Sequence, residues 1–290
     1  MDEDQPQPIL ERSIGLVEAD IEENCIQHGI RGILQHSDIM KMIAEYDDDD
    51  KQARIFGKFQ HLTGLIFKSY SPIVHEIEPF EIKFEDFCVV EMFDCHPRTN
   101  DALLWMAIDR QGRKILCDEM WESYDGVDTL VAKIREKADR YRIVKRLLEP
   151  AAWNTDKHTQ SNFFSELYTR GLVYEQASKE RTLAIRRTKQ ALHYIYQNGQ
   201  YQKPPELYVF KTLMRTRWEF THWKWSNWSS KMAETKDPKG VPEDKDDHMM
   251  ENVGRGLLAN VPFIEYIPPV VEQHLERQRE QAAVLDDPYA

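Results

Sequence analysis

Long apolar runs are missing from this sequence. Nowhere in its 290 residues does a stretch approach the roughly 18 consecutive apolar residues of a membrane span. The N-terminus, MDEDQPQP, is acidic where a secretory signal is basic and then apolar. An intracellular soluble protein is expected. Cysteine is scarce as well: Cys25, Cys88, Cys95 and Cys117 form no CxxC pair and show no metal-finger spacing. Two of them lie in apolar, strand-like runs where a thiol is a small hydrophobe, which suits a reducing compartment. No G-x-x-x-x-G-K-[ST] occurs, so no phosphate-cradling loop is available and ATP hydrolysis by this chain is not expected.

What is present suffices for a folded domain: 41% hydrophobic and 11% aromatic residues, seven Trp among them. The formal charge of −12 argues at first against a polyanionic partner, but it is unevenly spread. Residues 1–60 carry 14 acids and 6 bases, residues 266–290 carry 5 and 2, and the 31 acids and 30 bases between them nearly cancel. Three segments follow: an acidic, largely helical stretch over 1–60, a nearly neutral domain over 61–265, and an acidic tail over 266–290.

In the first segment Ser37 is a candidate cap for a helix carrying Ile39, Met42 and Ile43, and the acid run Asp47 to Asp50 follows it. From 64 to 117 short runs rich in β-branched and aromatic residues read as strands: 65–67, 73–77, 87–93, 102–108 and 114–117. Asp109-Arg110-Gln111-Gly112 has the chemistry of a tight reversal, so 87–117 reads as three antiparallel strands. Beyond 126, helices and strands alternate. Asp128 is a candidate cap for a helix with Leu130, Ile134, Ala138 and Tyr141 on one stripe, and a strand at 144–148 is closed by Pro150. A helix with Phe163, Phe164, Leu167 and Tyr168 stops at Gly171, and another carries Ala184, Ile185, Thr188, Ala191, Leu192 and Ile195. A strand at 207–210, a Trp-rich helical stretch and a last helix from about Asp247 complete an α/β layout with a mixed sheet.

Carboxylates interrupt the apolar runs at informative places. Asp94 ends the run that begins at Phe87, Glu149 follows the run that ends at Leu148, and Asp247 opens the last helix. The open edge of an α/β sheet is where such folds assemble sites. Acids from separate elements can hold two hard divalent ions, Mg²⁺ or Mn²⁺, for phosphodiester hydrolysis. Taken singly, each acid is as readily a turn or cap residue, and the spacing alone makes no motif.

Four segments, taken together, resemble the C-terminal nuclease domain of tailed-phage terminase large subunits. They are GKFQHLTGLIFKSYSPIVHEI at 57–77, VVEMFD at 89–94, LLEPAAW at 147–153 and DDHMMENVGR at 246–255. The resemblance implies a ribonuclease H-like α/β fold, three antiparallel strands then alternating elements, with helices flanking the mixed sheet. It also implies a metal-dependent endonuclease that cuts concatemeric viral double-stranded DNA at the start and end of packaging, in the cytoplasm of a host cell. Implied partners are double-stranded DNA, a terminase ATPase domain, a small terminase subunit and a portal protein. Asp94, Glu149 and Asp247 fall on the family's metal-binding acids, although many members carry Asp at the position of Glu149. Gly256 stands where an aromatic residue is common.

Asp246 competes with Asp247 for the third ligand. His248 is a candidate supporting residue or a structural histidine, with His158 a weaker candidate, and Glu251 is a supporting ligand or an i,i+4 partner of Arg255. For DNA, the expectation falls on Arg181, Arg186, Arg187 and Lys189, the last three projecting from the apolar stripe of their helix. A second basic run spans 133–146. Trp218, Trp223, Trp225 and Trp228 are read as core and rim packing in preference to base stacking. Two other readings stay open: a junction resolvase or transposase of the same fold, and a non-catalytic module that docks on the portal or small subunit through its acidic ends.

Overall fold

A computed structural model of the chain describes residues 21–29, 32–45, 64–96, 99–155, 161–197, 199–226 and 241–268. His158, Trp228, the acid run at 47–50 and residues 269–290 lie outside the described residues. Two compact units divide the chain, Met1–His61 and Leu62–Ala290.

In the first unit a 3₁₀ turn, Ile21–Asn24, precedes helix α1, His36–Glu45. Ile39 is its buried anchor. Ser37 lies inside the first turn of this helix instead of capping it.

The second unit is built on a seven-stranded mixed sheet. Its centre is the antiparallel set β2 (Phe87–Asp94), β3 (Asp101–Asp109) and β4 (Lys114–Glu122). The expected reversal joins β3 to β4: Gly112 takes φ +79°, and the Asp109 carboxylate accepts hydrogen bonds from the amides of Gln111 and Arg113, both at 2.9 Å. On the other side of β2, β5 (Ile143–Leu148) runs parallel to it, followed by the two-residue β6 (Glu175–Gln176). Beyond β4 lie β9 (Leu207–Phe210) and β1 (Glu76–Ile77), both parallel additions, so the order is β1-β9-β4-β3-β2-β5-β6. All of β2 except Phe87 is buried, as a nearly unbroken apolar run requires when both faces are covered.

Helices fill the connections: α2 (Pro72–His75), α3 (Val127–Ala138), α4 (Phe163–Thr169), α5 (Arg181–Leu192), α6 (Met214–His222) and α7 (His248–Ala259). Several boundaries differ from the sequence reading. Helix α3 begins one residue before Asp128, with Gly126 in the N-cap position, and Tyr141 falls beyond its end. The run 65–67 forms no strand beyond a bridge from Leu65 to Lys224, and most of 73–77 is the turn α2. Ile195 is not on helix α5, which stops at Leu192. It begins a hairpin of β7 (Ile195–Gln197) and β8 (Gln200–Lys203). The aromatic and β-branched run Tyr194-Ile195-Tyr196 favours a strand, and Gly199 at φ +78°, after Asn198 in the sequence, adds an Asn-Gly hairpin signal that outweighs the helical stripe.

Helix α7 lies between α5 and the sheet, and two glycines let it approach both. A Cβ on Gly254 would stand 2.6 Å from Cβ of Ala184 in α5. One on Gly256 would stand 2.9 Å from Sδ of Met92 and 3.1 Å from Cε of Met106. The space beside Gly256 is thus closed by two methionines of the sheet, and glycine is what fits.

Candidate metal centre

Asp94 is the last residue of β2, at the end where β5 also terminates. The parallel pairing continues past Leu148, because the Glu149 amide donates to the carbonyl of Phe93 at 3.0 Å. This register puts Glu149 beside Asp94. Pro150, with no amide hydrogen, then turns the chain into a 3₁₀ segment, Pro150–Trp153.

The third acid comes from the start of α7. Asp247 occupies its N-cap position but makes no side-chain capping bond. Glu219 of α6 does that work: its Oε2 accepts from the amides of Met249 at 2.8 Å and Met250 at 3.1 Å, and Arg215 Nε donates to its other oxygen at 2.8 Å. Asp247 is thereby released from its ordinary role, and its carboxylate pairs with Arg181 of α5. Asp246, at φ +55°, takes the other direction and pairs with Arg215 at 3.0 Å. The two adjacent acids therefore serve different partners, and Asp247 is the one that the charge of Asp94 reaches, as a minor contribution. Glu219 is completely buried, and burial pushes its carboxyl up to about 7 against the pull of Arg215. Glu219→Ala is expected to destabilise the protein by about 1–3 kcal/mol, because two helix-start amides and Arg215 lose their acceptor. Urea unfolding monitored by Trp fluorescence checks this, and an unchanged midpoint would remove Glu219 from the capping role.

The acids are interleaved with cations. Asp94 accepts from Arg255 Nη1 and from His248 Nδ1, each at 2.6 Å. Arg255 also holds Glu251 at 2.5 Å across one helical turn, and Arg181 Nε lies 3.4 Å from Glu251. Burial raises the Asp94 carboxyl, but His248 and Arg255 outweigh that and hold it below the usual carboxylate range. Glu149 is pushed up to about 7, by burial first and the Asp94 charge second. Asp247 is pushed up to about 6 by burial and Glu251, with Arg181 opposing. The hydrogen bond to Asp94 raises His248.

Two further residues join the site without having been singled out from the sequence. Cys95 Sγ donates to Glu149 Oε1 at 3.1 Å. Asp101, the first residue of β3, is pushed up to about 6 by burial and by Asp94. Cys95 adjoins Asp94 in the chain, but its contact with Glu149, like the approach of Asp101 to Asp94, depends on strand register.

The three candidate ligands Asp94, Glu149 and Asp247 are all carboxylates, which matches hard ions such as Mg²⁺ and Mn²⁺. Buried acids with raised pKa values are the groups a divalent cation would neutralise. Among the described residues, however, Asp94, Glu149 and Asp247 do not bring one oxygen each within 4.8 Å of one another. Arginine and histidine engage Asp94, and arginine engages Asp247. Beside the acids lies a cavity of about 280 Å³, lined by Glu149, Glu251, Arg181 and Arg255 with Phe67 and Trp223 on its apolar wall.

The basic helix is largely turned inward. Arg181 faces Asp244, Asp247 and Glu251, Arg187 pairs with Glu206 at 2.5 Å, and Arg186 is half-buried. Lys189, expected to project away from the apolar stripe, is instead buried. The run at 133–146 is similarly engaged: Lys137 and Arg140 hold Asp118, Lys145 holds Glu175 and Arg146 holds Glu91. Trp223 and Trp225 are buried, Trp223 donating to the carbonyl of Glu243 at 2.9 Å, whereas Trp218 is a partly exposed ring stacked between Arg215 and His222.

No protein-family model and no curated protein sequence matches this chain. Solved structures do. The large terminase of a thermophilic bacteriophage aligns with a TM-score of 0.59 at 14% identity, over 81% of this chain and 54% of that one. The nuclease domain of the P22 large terminase aligns with a TM-score of 0.51 at 14% identity, over 69% of this chain and 94% of that domain. This chain thus spans about half the length of the thermophilic phage's large terminase. No described helix is long and apolar enough to cross a membrane. Identity at this level speaks to architecture, and the architecture is the ribonuclease H-like fold of the terminase nuclease domains.

Proposed function

We propose that this chain is the nuclease part of a viral DNA-packaging terminase, hydrolysing phosphodiester bonds of concatemeric double-stranded DNA at the start and end of packaging. The observation that supports the reading is that register sets Glu149, just past the end of β5, beside Asp94 at the end of β2, while Glu219 frees Asp247 at the start of α7 from capping its own helix. Asp94, Glu149 and Asp247 are the residues that would hold the metal, two Mg²⁺ or Mn²⁺ ions. When bound, such ions activate an attacking water and stabilise the leaving oxygen.

The protein's own groups prepare the site. His248 and Arg255 fix both oxygens of Asp94, and the Glu149 amide bond to β2 fixes the second acid next to it. Arg181, between Asp247 and Glu251 at the cavity, is a cation placed to meet a phosphate there. Of the other three basic residues of α5, Arg186 is left to meet a phosphate, since Arg187 is paired and Lys189 buried. The reading places the protein in an infected host's cytoplasm, beside a terminase ATPase domain, a small terminase subunit and the portal.

The test is incubation of supercoiled and linear duplex DNA with the protein and Mg²⁺ or Mn²⁺. Cleavage of both is expected, with complete loss in excess EDTA and recovery on adding Mn²⁺. Cleavage confined to branched DNA would point to a junction resolvase instead. No cleavage, together with no heat on Mn²⁺ titration, would leave a docking module.

A further inference from the structure

The first unit contains a second cluster of ligating groups, chemically unlike the carboxylates. Cys25, His28 and His36 each bring one ligand atom within 4.8 Å of the others. Backbone pairing produces this meeting. The carbonyl of Asn24 accepts from the amides of Ile33 and Leu34, at 2.9 and 3.0 Å, and the Leu34 carbonyl accepts from Ile26 at 2.9 Å. Cys25 and Leu34 thus form a parallel bridge, and His36 follows two residues later. The Gly29 amide donates to the Cys25 carbonyl at 2.8 Å, a single helical turn that brings His28 back over Cys25. Gly32 permits the close approach, since a Cβ there would lie 2.0 Å from the Cys25 carbonyl oxygen.

The side chains then face one another. The rings of His28 and His36 meet edge to face, with centroids 4.7 Å apart. Gln27 Oε1 accepts from the His36 amide at 3.0 Å and from Cys25 Sγ at 3.4 Å. Cys25 is wholly buried, and Nδ1 of His36 is buried with no hydrogen-bond partner. Such an orphaned nitrogen beside a buried thiol costs free energy that a bound ion would recover.

We propose that Cys25, His28 and His36 form a Zn²⁺ site. One thiolate and two imidazoles suit a borderline-soft ion. The three protein donors leave a fourth tetrahedral position to water or to another donor. On binding, the Cys25 thiol releases its proton to solvent as the sulfur–metal bond forms. Ligand atoms on a tetrahedral Zn²⁺ with one sulfur and two nitrogens stand roughly 3.3–3.6 Å apart. A spacing of Cys-x₂-His-x₇-His escapes a search based on cysteine pairs because only one ligand is a cysteine. This site does not depend on the carboxylate centre or on the nuclease reading.

Titrating chelator-treated full-length protein with Co²⁺ separates the two centres, because only a thiolate-bound tetrahedral site gives sulfur-to-metal charge-transfer bands and intense visible absorption. The expected result is charge-transfer bands that saturate with one Co²⁺ per chain, their displacement by Zn²⁺, their loss in Cys25→Ser, and their full retention in Asp94→Asn. His36→Ala is expected to weaken uptake at least about tenfold, which provides a second variant should Cys25→Ser misfold. Wild-type protein that shows no charge-transfer band, or bands that survive in folded Cys25→Ser, would overturn the proposal.

Discussion

Asp94→Asn is expected to lower the rate of metal-dependent DNA cleavage by on the order of 10³-fold, while leaving the protein folded. Asp94 is the acid to which the rest of the centre refers: Arg255, His248 and Glu149 all interact with it. Removing its charge withdraws a ligand from an ion whose contribution is several kcal/mol, and each 1.4 kcal/mol is about tenfold in rate. Asn keeps the size of the side chain and one oxygen for Arg255, and Glu251 still accepts from that arginine, so the structural loss is contained. Cleavage time courses with Mn²⁺, run beside thermal unfolding of the same preparations, separate chemistry from folding. Wild-type cleavage by a folded Asp94→Asn protein would refute the assignment of this residue and with it the proposed centre.

The largest effect on stability is expected from Glu91→Ala. Glu91 is completely buried in the middle of β2 and accepts from Arg146 at 3.0 Å, the Trp105 indole at 3.0 Å and the Tyr174 hydroxyl at 2.5 Å. Truncation would leave the arginine without its counter-charge and two buried donors without an acceptor, a cost of about 3–5 kcal/mol. Replacing both members, Glu91→Leu with Arg146→Met, is expected to recover much of that loss, because apolar pairs of similar volume replace buried ion pairs at little cost. Denaturant unfolding of the single and double variants measures both. A loss below about 1 kcal/mol for Glu91→Ala would mean that water reaches Arg146 and that the network is not closed.

The course of β2, β3 and β4 was readable from the chain because each element announces itself locally. The apolar runs have strand length, and Asp109-Arg110-Gln111-Gly112 specifies the reversal in its own four residues. Elements whose identity depends on what covers them were read less well. Ile195 looks helical by periodicity yet pairs in a hairpin, and Lys189 looks like an outward-facing base yet is buried. The acid in the middle of β2, Glu91, gave no sign of its role, since its partners come from β3, β5 and Tyr174, up to 83 residues away.

The sequence by itself determined the strand runs, the acids that end them and the concentration of negative charge toward the two ends, because these are properties of neighbouring residues. Only the tertiary structure decided which acids meet. The parallel register of β2 with β5 puts Glu149 beside Asp94, and Glu219, 28 positions before Asp247, caps the helix that Asp247 begins. Whether a carboxylate caps its own helix or faces a site depends on which other acceptor reaches the same amides. That competition is resolved in space, between elements that the chain keeps far apart.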